Sequence, residues 1–242
     1  MASSNTFFRF KQFVVHQERT AMKVGTDGVL LGAMAQMPDG VTAPRILDIG
    51  TGTGLVAIML AQRFPTATVT ALELDPDAAA QAADNFAASP FAQRLKVINI
   101  DANLFTDDAP YDLIVSNPPY FTDQLQCPDD RRNIARHTVG LGHDALMQIA
   151  SRLLSPSGRM AVIVPADAAE PLVTEGARHD LLPALRTTIF SNKRKPARRS
   201  ICQFARAPLL FKIIENELTL LNLDGSLTTE YKDVTSDFYL DK

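Results

Sequence analysis

Leu47-Asp48-Ile49-Gly50-Thr51-Gly52-Thr53-Gly54 is the run on which the fold turns. It follows a short apolar segment, Arg45–Ile49, and precedes Leu55–Arg63, which is apolar at helical spacing. Glycines between a strand and a helix let the backbone turn sharply and approach a ligand that a side chain would block. Outward from this loop, strand-like and helical runs alternate. A helix is expected over residues 26–37, then strands at Thr68–Glu73, 95–100 and Tyr111–Ser116, with an Ala-rich helix over 77–88 among them. The prolines at Pro118 and Pro119 stop the last of these strands. A helix over 144–154, a strand over 158–164 and a helix over 166–179 come next. Residues 185–190 and 201–205 then read as a hairpin-like pair around a basic loop. Strands alternating with helices predict a parallel sheet covered on both faces. Two further strand-like runs, 217–223 and 226–231, flank Asp224-Gly225, a strong hairpin turn signal. The expected division is a lead-in over residues 1–44, an α/β domain over 45–212 and a short β-hairpin-like extension over 213–242.

The composition sets outer bounds. The chain has 242 residues, 46% of them hydrophobic, which suits one α/β domain with a sizeable core. No apolar run reaches the roughly 18 residues a membrane span needs, and the first residues lack the layout of a secretory signal. A cytoplasmic protein with no membrane partner is expected. Cys127 and Cys202 are far apart, without a C-x-x-C or Cys/His cluster beside either. They read as free thiols in a reducing compartment, and no metal site is expected. The net charge of −3 announces no global field for nucleic acid, yet the charge is uneven. Lys193, Arg194, Lys195, Arg198 and Arg199 fall in one stretch, and Arg131, Arg132 and Arg136 form a second group. Screening confines Coulomb attraction to about 8 Å at physiological salt, so a local basic patch can hold RNA on a mildly acidic protein. On charge alone, a solvated loop explains such a run equally well.

The glycine loop separates two kinds of cofactor. A nicotinamide fold wants G-x-G-x-x-G, and the sixth position from Gly50 is Leu55. The spacing here is G-x-G-x-G, Gly50, Gly52 and Gly54, with Asp48 two residues before it. That form belongs to S-adenosylmethionine enzymes. The cofactor has no pyrophosphate but carries a methionine ammonium that an acidic environment can hold. Glu73, beside Leu74, ends the second strand, where a carboxylate can accept both ribose hydroxyls. Asp101 ends the third, placed to contact an adenine amino group, with Ala102 donating a backbone N–H. Any one of these acids alone reads as a turn carboxylate or helix cap. Three at the ends of successive strands point to a ligand beyond the carboxyl edge of the sheet.

After the fourth strand comes Asn117-Pro118-Pro119-Tyr120. A planar amino or amide nitrogen is a poor nucleophile because its lone pair is delocalised. Acceptors fixed near its N–H bonds, the Asn117 side-chain oxygen and the Pro118 carbonyl, favour a pyramidal nitrogen. The prolines hold that geometry. Tyr120 can stack on a target base, with Phe121 extending the surface. His16 and His137 read as packing or RNA contacts rather than bases, because a cationic product nitrogen loses its proton to water. Residues 131–137 read as a substrate-facing loop.

Met22-Lys23-Val24-Gly25-Thr26-Asp27-Gly28-Val29-Leu30-Leu31-Gly32-Ala33, then Asn117–Phe121, Ala135-Arg136-His137 and the tail Asp237-Phe238-Tyr239-Leu240 together carry a resemblance over nearly the whole chain. They resemble the bacterial tRNA adenine-N6-methyltransferases that modify the adenosine beside the anticodon of a valine tRNA. The resemblance implies a Rossmann-like class I methyltransferase fold, with a seven-stranded, mostly parallel sheet, helices on both faces and the last strand antiparallel. It implies S-adenosylmethionine as cofactor and tRNA as partner, in a monomer or weak homodimer. It carries cofactor binding to Asp48, Gly50, Gly52, Gly54, Glu73, Leu74, Asp101, Ala102 and Asn117, and to the turn containing Lys23, Gly25 and Thr26. Catalysis falls to Asn117, Pro118, Pro119 and Tyr120. The RNA falls to Phe121, Arg131, Arg136, His137, Lys193, Arg194, Lys195 and Arg198.

Other nitrogen methyltransferases use the same motif. Protein-glutamine enzymes generally carry a sizeable helical domain before the Gly loop, and only 47 residues precede Asp48. Ribosomal guanine-N2 enzymes are usually longer and duplicated. DNA adenine enzymes more often have Asp at the position of Asn117 and carry a target-recognition region. A cofactor-binding scaffold without catalysis has no need of a correctly spaced amino-binding loop.

Overall fold

The computed structural model of the chain describes residues 6–119, 141–207 and 212–240. Tyr120, Phe121, Cys127, Arg131, Arg136 and His137 lie outside the described residues. Strands β1 (Phe7–Arg9) and β2 (Val14–His16) pair as a small antiparallel ribbon. Helix α1 (Thr26–Met34) follows. The alternation then runs β3 (Arg45–Ile49), α2 (Leu55–Arg63), β4 (Thr68–Glu73), α3 (Pro76–Ala88), β5 (Leu95–Asn99) and β6 (Tyr111–Ser116). It continues with α4 (His143–Leu153), β7 (Leu154–Pro165), α5 (Ala169–Arg178), β8 (Leu181–Phe190), β9 (Ala197–Arg206), β10 (Ile214–Thr219) and α6 (Thr229–Thr235).

The main sheet has the order β10-β8-β9-β7-β6-β3-β4-β5. Strands β3 to β9 form the expected core, parallel except for β9, which runs antiparallel to both β7 and β8. The eighth strand was not foreseen: β10 joins the edge parallel to β8. From β3 the chain winds outward through β4 and β5, then returns to β6 on the other side. The switch point is therefore the β3–β6 crevice, where open α/β sheets bind ligands.

Side-chain alternation on the strands feeds two cores. Ile46 faces the layer built by α1, α2, Phe86 of α3 and Tyr231 of α6, whereas Leu47 and Ile49 face α4 and the apolar run of β7. Every residue of α2 from Leu55 to Ala61 is buried, because α1 covers the side of α2 that the sheet does not. Gly32 permits that approach: a Cβ there would lie 2.8 Å from Met59 Sδ.

Three expectations need correction. The helix expected over 26–37 ends at Met34, and the run after β7 opens with a 3-10 turn, Ala166–Ala168, before α5. The expected C-terminal hairpin is reduced to one bridge, Leu221 to Leu227, across a turn closed by Asn222 N–H donating to Ser226 O (2.8 Å). Its first arm pairs with β8 instead. Its second arm becomes α6, because Thr228 caps a helix by accepting from the Tyr231 N–H (3.2 Å). The tail then folds back on the N-terminal segment. Phe238 is buried, its carbonyl accepts from the Lys11 N–H (2.8 Å), and the Tyr239 ring stacks on Phe10.

Candidate active site

Strand register assembles the site. Ile49 lies opposite Leu72 on one side and Ser116 on the other. The next residue of each strand, Gly50, Glu73 and Asn117, therefore leaves the sheet side by side. The Gly50 and Thr51 N–H groups both donate to the Leu72 carbonyl (2.9 and 3.1 Å), and Ser116 Oγ donates to the Ile49 carbonyl (2.9 Å). The loop turns through Gly50, Gly52 and Gly54 at φ of 73°, 56° and 83°, the left-handed region that glycine tolerates. At Gly54 a Cβ would also meet Phe86 Cε1 at 2.5 Å. At Gly50 and Gly52 it would meet nothing within 4 Å, so these two form an open floor.

The acids surround that floor. Glu73 Oε2 accepts from the Gly52 N–H (2.8 Å) and Oε1 from the Asp75 N–H (3.0 Å). Asp48 is 1% exposed and accepts from Thr51 Oγ1 at 2.6 Å. Burial pushes its carboxyl up to about 7; the Thr51 bond opposes the shift and the neighbouring Glu73 charge adds to it.

These groups line a cavity of about 700 Å³. Of the expected residues, Lys23, Gly25, Thr26, Asp48, Gly50, Gly52, Glu73, Asn117 and Arg198 line it. Pro119 also lines it, while Pro118 is buried behind. Gly54 caps α2 behind the floor. Leu74 is 57% exposed and points away into solvent. Asp101 and Ala102 stand at the end of β5 outside the lining, and the Asp101 carboxylate accepts from both the backbone and side-chain nitrogens of Asn103 (2.9 Å each). Lys193, Arg194 and Lys195 are exposed on the loop between β8 and β9, outside this cavity.

For several lining residues the sequence reading gave the stretch but not the contact. Arg199 Nε donates to Asp27 Oδ2 at 2.8 Å, joining the start of α1 to β9 inside the cavity wall. Asp27 closes the Lys23–Asp27 turn that the family resemblance sets over the cofactor. Met22 also lines the cavity, and its Sδ accepts weakly from Asn117 Nδ2 (3.9 Å), which sets the lead-in segment against the Asn-Pro-Pro motif. Asp75 caps α3 by accepting from the Asp77 and Ala78 N–H groups, a role its place before Pro76-Asp77 encodes.

The donor set fits the expected cofactor. An open glycine floor with the Asp48 and Glu73 carboxylates beside it suits a ligand with vicinal hydroxyls and an ammonium group. The volume lies in the range of small-ligand sites. Among the described residues, no three His, Cys, Asp or Glu side chains gather to hold a metal ion, and no helix is long and apolar enough to cross a membrane.

The chain is similar to known proteins. The methyltransferase small domain model matches residues 22–172. A tRNA1(Val) (adenine(37)-N6)-methyltransferase of Phocaeicola vulgatus is 45% identical over 236 residues, 98% of each chain. An enzyme of the same description from Aeromonas hydrophila is 43% identical, again over 98% of each chain. Among solved structures, a predicted O-methyltransferase of Agrobacterium tumefaciens superposes with a TM-score of 0.67 at 20% identity, over 88% of this chain and 96% of its own. A TehB-like S-adenosylmethionine-dependent methyltransferase of Corynebacterium glutamicum gives 0.51 at 17% identity, over 77% of this chain and 90% of its own. At such identities the structural likeness concerns the fold.

Proposed function

We infer the function from a family: the chain belongs to the tRNA1(Val) (adenine(37)-N6)-methyltransferases, within the methyltransferase small domain family. It is an S-adenosylmethionine-dependent enzyme that methylates the exocyclic N6 amino group of an adenosine in tRNA. We place it in the cytoplasm, where that substrate is met.

The observation that carries the mechanism is the register that sets Gly50, Glu73 and Asn117 side by side on one cavity. When bound, the cofactor supplies a methyl group already activated on a sulfonium. The chain's residues do the rest. Gly50 and Gly52 let the backbone lie close beneath the ligand. Glu73 keeps acceptor capacity for two hydroxyls beyond its bonds to Gly52 and Asp75. Asp48 gives the inner wall negative character. Asn117 Oδ1 and the Pro118 carbonyl accept the two amino N–H bonds of the adenine and aim its lone pair. Tyr120 stacks on the base. Arg198, exposed at the cavity mouth, and the Lys193–Lys195 loop beyond it hold the phosphate backbone. This attraction weakens as salt rises. The released proton passes to water, so no side-chain base is assigned.

Methyl transfer from labelled S-adenosylmethionine to unmodified total tRNA, followed by nucleoside analysis, tests the reading. N6-methyladenosine in a valine tRNA is the expected product. Label in ribosomal RNA or a release factor instead would move the substrate elsewhere. Asn117→Ala is expected to lower turnover by on the order of 100-fold or more while cofactor affinity changes little. Near-normal turnover in that variant would overturn the catalytic assignment.

A further inference from the structure

The eighth strand, the turn after it and α6 enclose a second cavity of about 350 Å³ against the basic loop. It lies beside the first. Ser191 and Leu220 line the cofactor cavity, and Lys193 and Leu221 line the second. The partition is a backbone ladder, in which Leu220 N–H donates to Phe190 O (2.9 Å) and Leu221 N–H to Ser191 O (3.0 Å). Both cavities therefore open on the carboxyl edge of the sheet, a short step apart. The volume lies at the lower end of the range of small-ligand sites.

The lining has a specific chemistry. Asn222 and Thr228 are committed to the fold: Asn222 Nδ2 donates to Ser226 Oγ (3.0 Å), and Thr228 Oγ1 donates to Thr219 O (2.5 Å) while also capping α6. Lys193, Glu217 and Glu230 are not. All three are exposed, and their side chains have no hydrogen bond or ion pair among the described residues. Leu221 and Leu223, the latter 61% exposed, add apolar surface. An ammonium, two acceptor-only carboxylates and an apolar face match a nucleotide: phosphate or ribose to the lysine, a base edge rich in N–H donors to the carboxylates, and the base plane against leucine.

We propose that this second cavity binds an unpaired nucleotide flanking the target adenosine, and that Glu217 and Glu230 select a base bearing an exocyclic amino group over uracil. The proposal rests on the tRNA methyltransferase reading above. It gives the C-terminal module a role: β10 and α6 build a reading site beside the reacting site.

The test uses the full-length enzyme and RNA hairpins with the target adenosine in the loop. Each flanking nucleotide is replaced in turn by an abasic residue, and then by uridine. The wild-type enzyme is expected to lose about tenfold in KM for RNA at one flanking position, with kcat little changed. The double variant Glu217→Gln/Glu230→Gln is expected to weaken the intact hairpin by a similar factor, to lose discrimination at that position and to keep its affinity for S-adenosylmethionine. The sign is decisive. Carboxylates that merely face solvent repel phosphate, so neutralising them would tighten RNA binding or leave it unchanged, and that result overturns the proposal. Equal discrimination in wild type and variant overturns it too. If the wild type methylates neither the hairpins nor total tRNA, the reading of function itself fails, and this inference with it.

Discussion

At the scale of the residue, Asp48 is the most consequential group. Its carboxyl is fully enclosed, and burial raises it to about 7 even though Thr51 donates to it. A carboxyl raised in the folded state takes up a proton on folding. Its contribution to stability is present in full below its ordinary value near 3.8 and is lost as pH climbs through about 7. A cationic ligand reverses the preference, because a positively charged ammonium beside Asp48 favours the carboxylate. Affinity for S-adenosylmethionine is therefore expected to weaken by about tenfold between pH 8 and pH 6, measured by calorimetry. A pH-independent Kd would remove Asp48 from the cofactor's charge balance. Without cofactor, Asp48→Asn is expected to melt higher than the wild type at pH 8 and alike near pH 4, while binding S-adenosylmethionine more weakly at neutral pH. A variant that melts lower at pH 8 contradicts the burial argument.

Among the elements, the decisive joint is made by one side chain. Asn85, buried in α3, accepts from the His16 N–H (2.9 Å) and donates to the carbonyls of His16 and Thr53 (2.8 Å each). It thus ties ribbon β1–β2 and the glycine loop to α3. The segment after β2, residues 20–28, lines the cavity over the glycine loop, so the joint also fixes that wall. Asn85→Ala leaves three backbone groups without their partner. The expected loss is about 3 kcal/mol of unfolding free energy, read from denaturant titration, together with weaker cofactor binding. Asn85→Asp is expected to do no better, because it sets a carboxylate against two carbonyls. A loss within about 0.5 kcal/mol for the alanine variant would show that the ribbon is held by other contacts.

For the whole molecule, the two ends of the chain close on each other. Phe238 is buried with Phe10 and Tyr231 over the α1–α2 layer, Gln62 Nε2 donates to Asp237 O (2.9 Å), and Tyr239 stacks on Phe10. The tail that marks the family resemblance is therefore a packing element, far in character from the polar cavity. Phe238→Ala is expected to cost about 3–5 kcal/mol and to lower Tm by roughly 6–20 °C. Below the new transition, turnover should persist. A specific loss of turnover with Tm unchanged would assign the tail to the substrate instead.

The sequence by itself determined the α/β alternation, the glycine turn, the acid that ends β4 and the Asn-Pro-Pro motif after β6. Each is written in local chemistry: side-chain periodicity, glycine's access to positive φ, and proline's missing N–H. Because strand ends converge in this architecture, those local signals were enough to place Asp48, Glu73 and Asn117 on one cavity. Asp101, expected beside them, stands one strand further out, where one of its carboxylate oxygens accepts from Asn103. Only the tertiary structure decided the rest. Asp27 meets Arg199 across 172 positions, and Asn85 meets His16 across 69; neither pairing leaves a periodic trace. The runs around Asp224-Gly225 carry equal local claims to a hairpin, but β8 offered the first arm an open sheet edge and Thr228 offered the second a helix cap. Partner choice among distant segments is settled by which surfaces remain uncovered once the core has packed, and that is a property of the assembled chain rather than of any stretch of it.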